Sequence, residues 1–423
     1  MASNVITLPY VTADIVYSHV HGRLCALVDA MEPEYGNRLI EIDVGNGQVL
    51  RSVFVGSQPN MVRLTPDEQY AWITFRSIPF IRRVELAGFR VDSSIFLGPS
   101  KRAYQPGHRR STIEAYNFTI LPDGSGLALG LKTPSEFDFE ALSLYRNGAF
   151  QPDRVEEREV TEPPFCLEPV HGGHYIVGHY QSTGRSIFSS FRVKPDGLEL
   201  IREFDSLQPG QWQRNWIRVH NDTLGIGNGT LLDATDVTNI TVAGTCVNDV
   251  IGDKYGFVYS GLHNAWVYPN LTGKSVYLTF YDPHSFARFD SVYLFEYPFY
   301  EIMLITELEV IDTNRFAVLI GKDYGQFTVR IVEPYPYGQE ERWAGRLKLY
   351  PNPASDRVYL EGLPGEMQIR LYDILGRPAA TFTAGGSSAE FDTGGLPEGF
   401  YLARFSDPTG ADCGVTRKIL IRR

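Results

Sequence analysis

The chain has 423 residues, 43% of them hydrophobic and 21% charged, which places it among soluble globular proteins with room for two or three domains. No stretch approaches the ~18 apolar residues of a membrane-spanning helix. The net charge of −11 comes with no basic stripe, so nucleic acid and anionic membrane surfaces are excluded as partners.

Forty Gly, 26 Pro, 24 Tyr and 25 Phe favour many short strands joined by tight turns over helices, and the fold class expected is all-β. The acidity is uneven. Residues 336–423 hold 11 Lys/Arg and 11 Asp/Glu, leaving 28 against 39 for residues 1–335. The opening Met-Ala-Ser-Asn-Val-Ile-Thr-Leu-Pro has neither the basic nor the apolar region of a signal peptide. Cys25, Cys166, Cys246 and Cys413 are far apart with no CxxC, which suits buried thiols and leaves three disulfide connectivities open.

In chain order, one unit of strand, tight turn and strand recurs seven times. Its turns centre on Gly22, Asp67, Asp123, Gly172, Asp222, Gly273 and Thr313, spaced by 45, 56, 49, 50, 51 and 40 residues. Repeats of this length, with four short strands each, predict propeller blades that must stack on neighbours to bury their faces. A pair of β-sandwiches is the alternative, and seven similar hairpins favour the propeller. The last unit, 308–333, offers only three strands, and 5–8 is a strand without a blade. The N-terminal strand is therefore expected to complete the last blade and close the ring. The fifth unit is the hardest to register, because 230–262 is long and rich in Gly, Asn and Thr. With Pro66-Asp67 and Pro122-Asp123-Gly124 at the turns, residues 1–335 loosely resemble the YVTN/WD40-like seven-bladed β-propellers, which implies fold and not function.

Residues 336–346, proline-containing and charged, read as a linker. Residues 347–423 then break into seven short strands, the pattern of a small immunoglobulin-like β-sandwich. Here Tyr350-Pro351-Asn352-Pro353, Leu371-Tyr372-Asp373-Ile374-Leu375-Gly376-Arg377, Leu396-Pro397-Glu398-Gly399-Phe400-Tyr401 and the terminal stretch from Lys418 closely resemble the C-terminal sorting domain of type IX secretion cargo. The resemblance implies export through that machinery and display at the outer-membrane surface or release. It also implies a cell-surface sortase that cuts within the linker.

Chemistry in the propeller is sparse. His171, His174 and His179 do not share a strand face, so turn and surface histidines are expected in place of a metal site. There is no Gly-x-Ser-x-Gly, and Gly225-Ile226-Gly227-Asn228-Gly229 reads as a hairpin. No cofactor is expected. Glu168 is open to two readings, a channel ligand for Ca²⁺ or general base and a solvated turn acid, the second being favoured.

The face made by the interblade loops and the second-to-third-strand loops carries charges beside aromatics. The candidate ligand-binding residues there are Arg76, Arg102, Arg109, Arg110, Asp138, Trp212, Asp282, His284 and Tyr324. Half of the aromatics on this face are expected in the interblade core. Two functions stay open: a secreted or surface-anchored propeller that binds a glycan or protein, and a propeller-type hydrolase or lyase acting on glycan or lactone substrates at the channel mouth.

Overall fold

A computed structural model of the chain describes residues 4–100, 112–133, 139–182, 185–205, 217–227, 229–246, 257–272, 275–296, 303–322, 326–333, 347–373, 377–406 and 412–423. Two compact units separate at Glu333 and Pro334.

The first unit is a seven-bladed β-propeller. Each blade is an antiparallel sheet, its main strands following one another in chain order in blades 1 to 6, and the innermost strands are Thr12–Ser18, Pro59–Leu64, Glu114–Ile120, Cys166–Val170, Ile217–His220, Val258–Ser260 and Met303–Val310. Each innermost strand touches that of the next blade, and the seventh touches the first. Asn4–Thr7 pairs antiparallel with Gln326–Glu333 as the outer strand of blade 7, with Val5 opposite Val332, so the first and last segments share one sheet. A strand that would otherwise present an open edge is thereby covered.

The core is divided among the seams. Blades 1 and 2 enclose Leu27, Leu39, Val62 and Ile73, for example, and blades 7 and 1 enclose Leu8, Ile40, Leu319 and Ile331. A four-stranded sheet has two apolar faces and no partner of its own, so each seam is where both neighbours bury them.

Two registers depart from the sequence reading. In blade 5, Thr230–Asp233 and Thr241–Thr245 are its last two strands, and Val258–Ser260 already opens blade 6. The hairpin around Gly273 therefore joins the second and third strands of blade 6, Ala265–Thr272 and Ser275–Tyr281, and the first turn of that blade is 261–264. A first strand of only three residues gives too little alternation to be seen beside the eight-residue strand that follows.

The second unit holds five strands. The expected strands 357–360 and 367–372 are parts of one long strand, Arg357–Asp373, and 379–383 and 389–391 are parts of Pro378–Asp392. Their pairing shifts between Glu361 and Gly365. Arg357–Asp373 also changes its partner on the other edge: its first half pairs with Lys348–Tyr350, and its second half with Gly399–Ser406, which in turn pairs with Asp412–Ile421. Val358, Ile369, Leu371, Phe391, Ala403, Phe405 and Ile419 form the core of this unit.

Candidate functional site in the propeller channel

Charged residues stand inside the otherwise apolar innermost strands. In blades 1, 2, 3 and 7 the strand pairing slips between Thr12 and Asp14, Pro59 and Met61, Ala115 and Asn117, and Ile305 and Glu307. One extra residue at such a bulge re-aims the side chains beyond it. Asp14 and Glu307 follow bulges directly, and Arg63, Glu168, Arg218 and Glu309 join them from other positions of the innermost strands.

These side chains form one ionic network. Arg63 Nη1 lies 3.0 Å from Asp14 Oδ2, and its Nη2 lies 3.7 Å from Glu307 Oε1. Arg218 Nη2 lies 2.9 Å from Glu307 Oε2, while its Nη1 lies 3.4 Å from Glu168 Oε1. Glu307 of blade 7 thus links the arginines of blades 2 and 5. Asp14 also accepts the backbone N–H of Ile15 at 3.0 Å and of Val62 at 2.8 Å, tying blade 1 to blade 2.

Four carboxyls share two guanidinium groups, and their acidities show it. Burial raises the Asp14 carboxyl to about 7 although Arg63 opposes the shift. Burial, reinforced by Glu307, raises Glu309 to about 8. Glu168 is raised by burial against the pull of Arg218. Burial disfavours the Arg218 cation, yet Glu307 and Glu168 outweigh it and its proton is held more tightly than usual.

A cavity of about 180 Å³ opens between the innermost strands of blades 2 to 5, lined by Met61, Arg63, Asn117, Phe118, Glu168 and Arg218 among others. Glu168 is therefore neither a solvated turn acid nor part of a carboxylate cage. It stands within a strand with a guanidinium as its partner, and among the described residues no group of three or more His, Cys, Asp or Glu converges on a metal position.

The residues singled out from sequence do not meet at one place. Arg76 is exposed on the expected loop face, with its Nε donating to Asn60 Oδ1 at 2.9 Å. Asp282 and His284 follow the third strand of blade 6, so the corrected register puts them on the opposite face from Arg76. There Asp282 Oδ1 accepts the backbone N–H groups of His284 and Ser285 at 3.0 and 2.8 Å, the bonds of a turn cap. Arg102, Arg109, Arg110, Asp138, Trp212 and Tyr324 lie outside the described residues. Of the aromatics on the loop face, Phe139 is interblade core, while Phe165 and Tyr180 stack there with ring centroids 4.9 Å apart.

His171 fastens blade 4 to blade 5, whereas the described side-chain contacts of His179 lie within blade 4. His171 Nε2 bonds to the carbonyl of Ala234 at 2.9 Å, and its backbone N–H donates to Asp222 at 2.6 Å, both in blade 5. His179 is not on the surface: it is buried against Phe188 and bonds Ser186 Oγ at 3.0 Å.

In the second unit the motif residues pin the terminal strand. Asn352 Nδ2 donates to the carbonyl of Lys418 at 3.0 Å, and Asn352 Oδ1 accepts Leu420 N–H at 2.9 Å, so one side-chain amide extends the ladder that Pro351 and Pro353 cannot. Asp373 accepts the backbone N–H and the Nε of Arg377 at 3.0 and 2.7 Å, and Gly376 lies outside the described residues. Tyr372 is half-buried opposite Leu402. Tyr401 donates to the Pro397 carbonyl at 2.8 Å, over Gly399 at φ +151°, and Lys418 Nζ sits 4.0 Å from the Phe400 ring centroid.

Comparison with known proteins agrees with both units. Residues 348–422 match the family described as the secretion system C-terminal sorting domain, and they are the sorting domain of type IX secretion cargo. The chain therefore carries a seven-bladed propeller with the tail that marks it for export by that system. The β-propeller domain of Cps50 (Swd1) from Myceliophteria thermophila superposes with a TM-score of 0.53 at 9% identity, covering 78% of this chain and 99% of that one. Hydrazine synthase from Kuenenia stuttgartiensis gives 0.45 at 12% identity, covering 65% of this chain and 78% of that one. At 9% identity the likeness to the Swd1 propeller concerns fold alone. No curated protein sequence matches the chain. Among the described residues, no helix is long and apolar enough to cross a membrane.

Proposed function

We propose that the propeller is an exported binding protein, displayed at the cell surface or released, that takes a glycan or protein ligand on its loop face. One contrast carries this reading. In the channel the charged groups are spent on one another, with Glu307 holding both Arg63 and Arg218, whereas the loop face offers half-exposed aromatic pairs, Tyr10 with Tyr35 and Phe165 with Tyr180, beside the exposed Arg76. Aromatic faces next to an arginine suit sugar rings and polar protein groups. The propeller proper spans 1–335, and the sortase cut falls within 336–346, where a protease needs extended chain. In sequence, Lys101, Arg102, Arg109 and Arg110 concentrate positive charge between the last strand of blade 2 and the first of blade 3, which favours an acidic ligand.

Binding of the intact chain to an array of acidic polysaccharides tests the reading. Changing Arg109 and Arg110, or Arg76, to Ala should weaken capture and its salt sensitivity, while Asp67→Asn on the opposite face should leave it unchanged. Equal loss from both faces, or no captured glycan or protein at all, removes the case.

The hydrolase or lyase reading keeps one supporting observation. Glu168 is a carboxyl whose pKa burial raises, and it stands beside a cavity, the setting of a general acid. Turnover of a lactone or uronate substrate that Glu168→Gln abolishes would favour it.

A further inference from the structure

We propose that Phe165, at the loop-face end of the innermost strand of blade 4, is a stacking platform for a flat pyranose ring, so that the ligand is a glycan built of equatorially linked sugars. This rests on the binding reading above and deepens it by choosing between its two ligand classes.

Phe165 is both exposed and held still. It is 44% exposed between the buried Pro164 and Cys166, and its backbone N–H donates to the His179 carbonyl at 2.7 Å. One residue earlier, the Pro164 carbonyl accepts Tyr116 Oη at 2.8 Å and Asn117 Nδ2 at 2.6 Å, both from the innermost strand of blade 3. Further back, Thr161 donates its N–H and its hydroxyl to Glu203, on the last strand of blade 4, at 3.0 and 2.6 Å. Gly178 completes the clamp, since a Cβ there would stand 2.7 Å from Pro164 Cβ. An apolar ring kept in water on so fixed a backbone loses little freedom when a ligand covers it.

Ring geometry selects the ligand. The half-buried Tyr180 backs Phe165 with centroids 4.9 Å and planes 27° apart, and the exposure of Phe165 leaves its far side open. An apolar side chain of a protein partner binds best where a pocket encloses it. A pyranose whose substituents are all equatorial instead presents a flat face of axial C–H bonds, which the negative face of an aromatic ring attracts, while its hydroxyls stay in water around the rim. The other aromatic pair of this face does not qualify. Tyr10 and Tyr35 meet edge to face at 83°, with the carboxylates of Glu34 and Glu32 near Tyr10.

Calorimetry on the full chain tests this with three hexasaccharides: cellohexaose, the β-1,4-linked hexamer of glucuronic acid, and the α-1,4-linked hexamer of galacturonic acid, whose axial linkages interrupt the flat face. Both β-linked hexamers should bind saturably, and the glucuronate hexamer should bind at least tenfold tighter than the galacturonate hexamer of equal charge, a comparison that needs no variant. Phe165→Leu keeps an apolar side chain and removes the ring, so it should weaken both β-linked hexamers at least tenfold while the thermal melt stays within a few degrees. Phe165→Trp keeps a ring and should bind as the parent does. Failure of either β-linked hexamer to bind, equal affinity for the two uronate hexamers, or parent-like affinity in Phe165→Leu would overturn the proposal. Capture of a protein or an acidic polysaccharide that Arg76→Ala weakens and Phe165→Leu leaves unchanged would also overturn it, with the broader binding reading left in place.

Discussion

Arg218 on the innermost strand of blade 5 reaches past blade 6 to Glu307 of blade 7, with 2.9 Å between Nη2 and Oε2. The same carboxylate faces Arg63 of blade 2 at 3.7 Å, so one side chain ties together segments 244 and 89 residues away in sequence. Neighbouring blades are already joined by their apolar seams, and this contact adds a constraint across the ring.

Glu307→Ala should therefore destabilise the propeller by roughly 1–3 kcal/mol, because it leaves each guanidinium with one carboxylate, Asp14 for Arg63 and Glu168 for Arg218. Urea denaturation checks this.

The turn histidines make a second set of cross-blade ties. His21 Nε2 meets the Glu68 carbonyl at 3.1 Å, and His263 Nε2 meets that of Thr313 at 3.1 Å. In both turns a serine three residues earlier, Ser18 or Ser260, accepts the histidine backbone N–H. His263→Ala should cost about 1 kcal/mol. A thermal melt lowered by a few degrees would agree with it, and an unchanged melt would count against a structural role.

Gly225→Val should destabilise by roughly 1–3 kcal/mol through overpacking. A Cβ at Gly225 would stand 2.7 Å from ring atoms of both Phe257 and Trp266 of blade 6, rings that are fully buried and cannot retreat. The check is denaturation of this variant beside Gly261→Ala, a turn position with open space around it.

Gly225 also shows where the sequence could be read and where it could not. Its place in a hairpin was legible, because strand alternation is local. The reason for glycine was not, since the rings that crowd it belong to the next blade. Pro-Asp and Gly turns marked the first hairpins of most blades, but blade 6 slipped by one strand because Gly261-Leu262-His263-Asn264 follows a strand of three residues. The channel network was hidden for a different cause. Asp14, Arg63, Arg218 and Glu307 each look like a stray charge within an apolar strand, and only bulges and ring closure bring them together. The sorting-domain motifs were legible in full because each is contiguous and closes its own turn or pins one strand.

Asn352→Ala removes both amide bonds to the terminal strand and should lower the stability of the sorting domain by about 2 kcal/mol, at ~1 kcal/mol for each bond. Hydrogen exchange of Leu420 N–H, which donates to Asn352, should rise in the variant. In the native host, export should fall with it. Normal export with an unpinned terminal strand would separate recognition from this geometry.

The channel carboxyls also set a dependence on pH. Asp14 titrates at about 7 and Glu309 at about 8 in the folded protein, against ~4 for such groups in an unfolded chain. Between those values the folded state holds protons that the unfolded state has lost, so stability falls as pH rises. The decline from these two groups begins near pH 4 and levels off above about 8, with a slope of at most about 1.4 kcal/mol per pH unit for each. Glu309→Gln keeps a neutral group where the folded protein prefers one. It should therefore flatten the profile between pH 5 and 8 and make the variant more stable than the parent at pH 8.5. Urea titrations of both proteins at pH 5, 7 and 8.5 decide it: parallel profiles, or a variant weaker at every pH, would show that Glu309 is ionised in the folded channel.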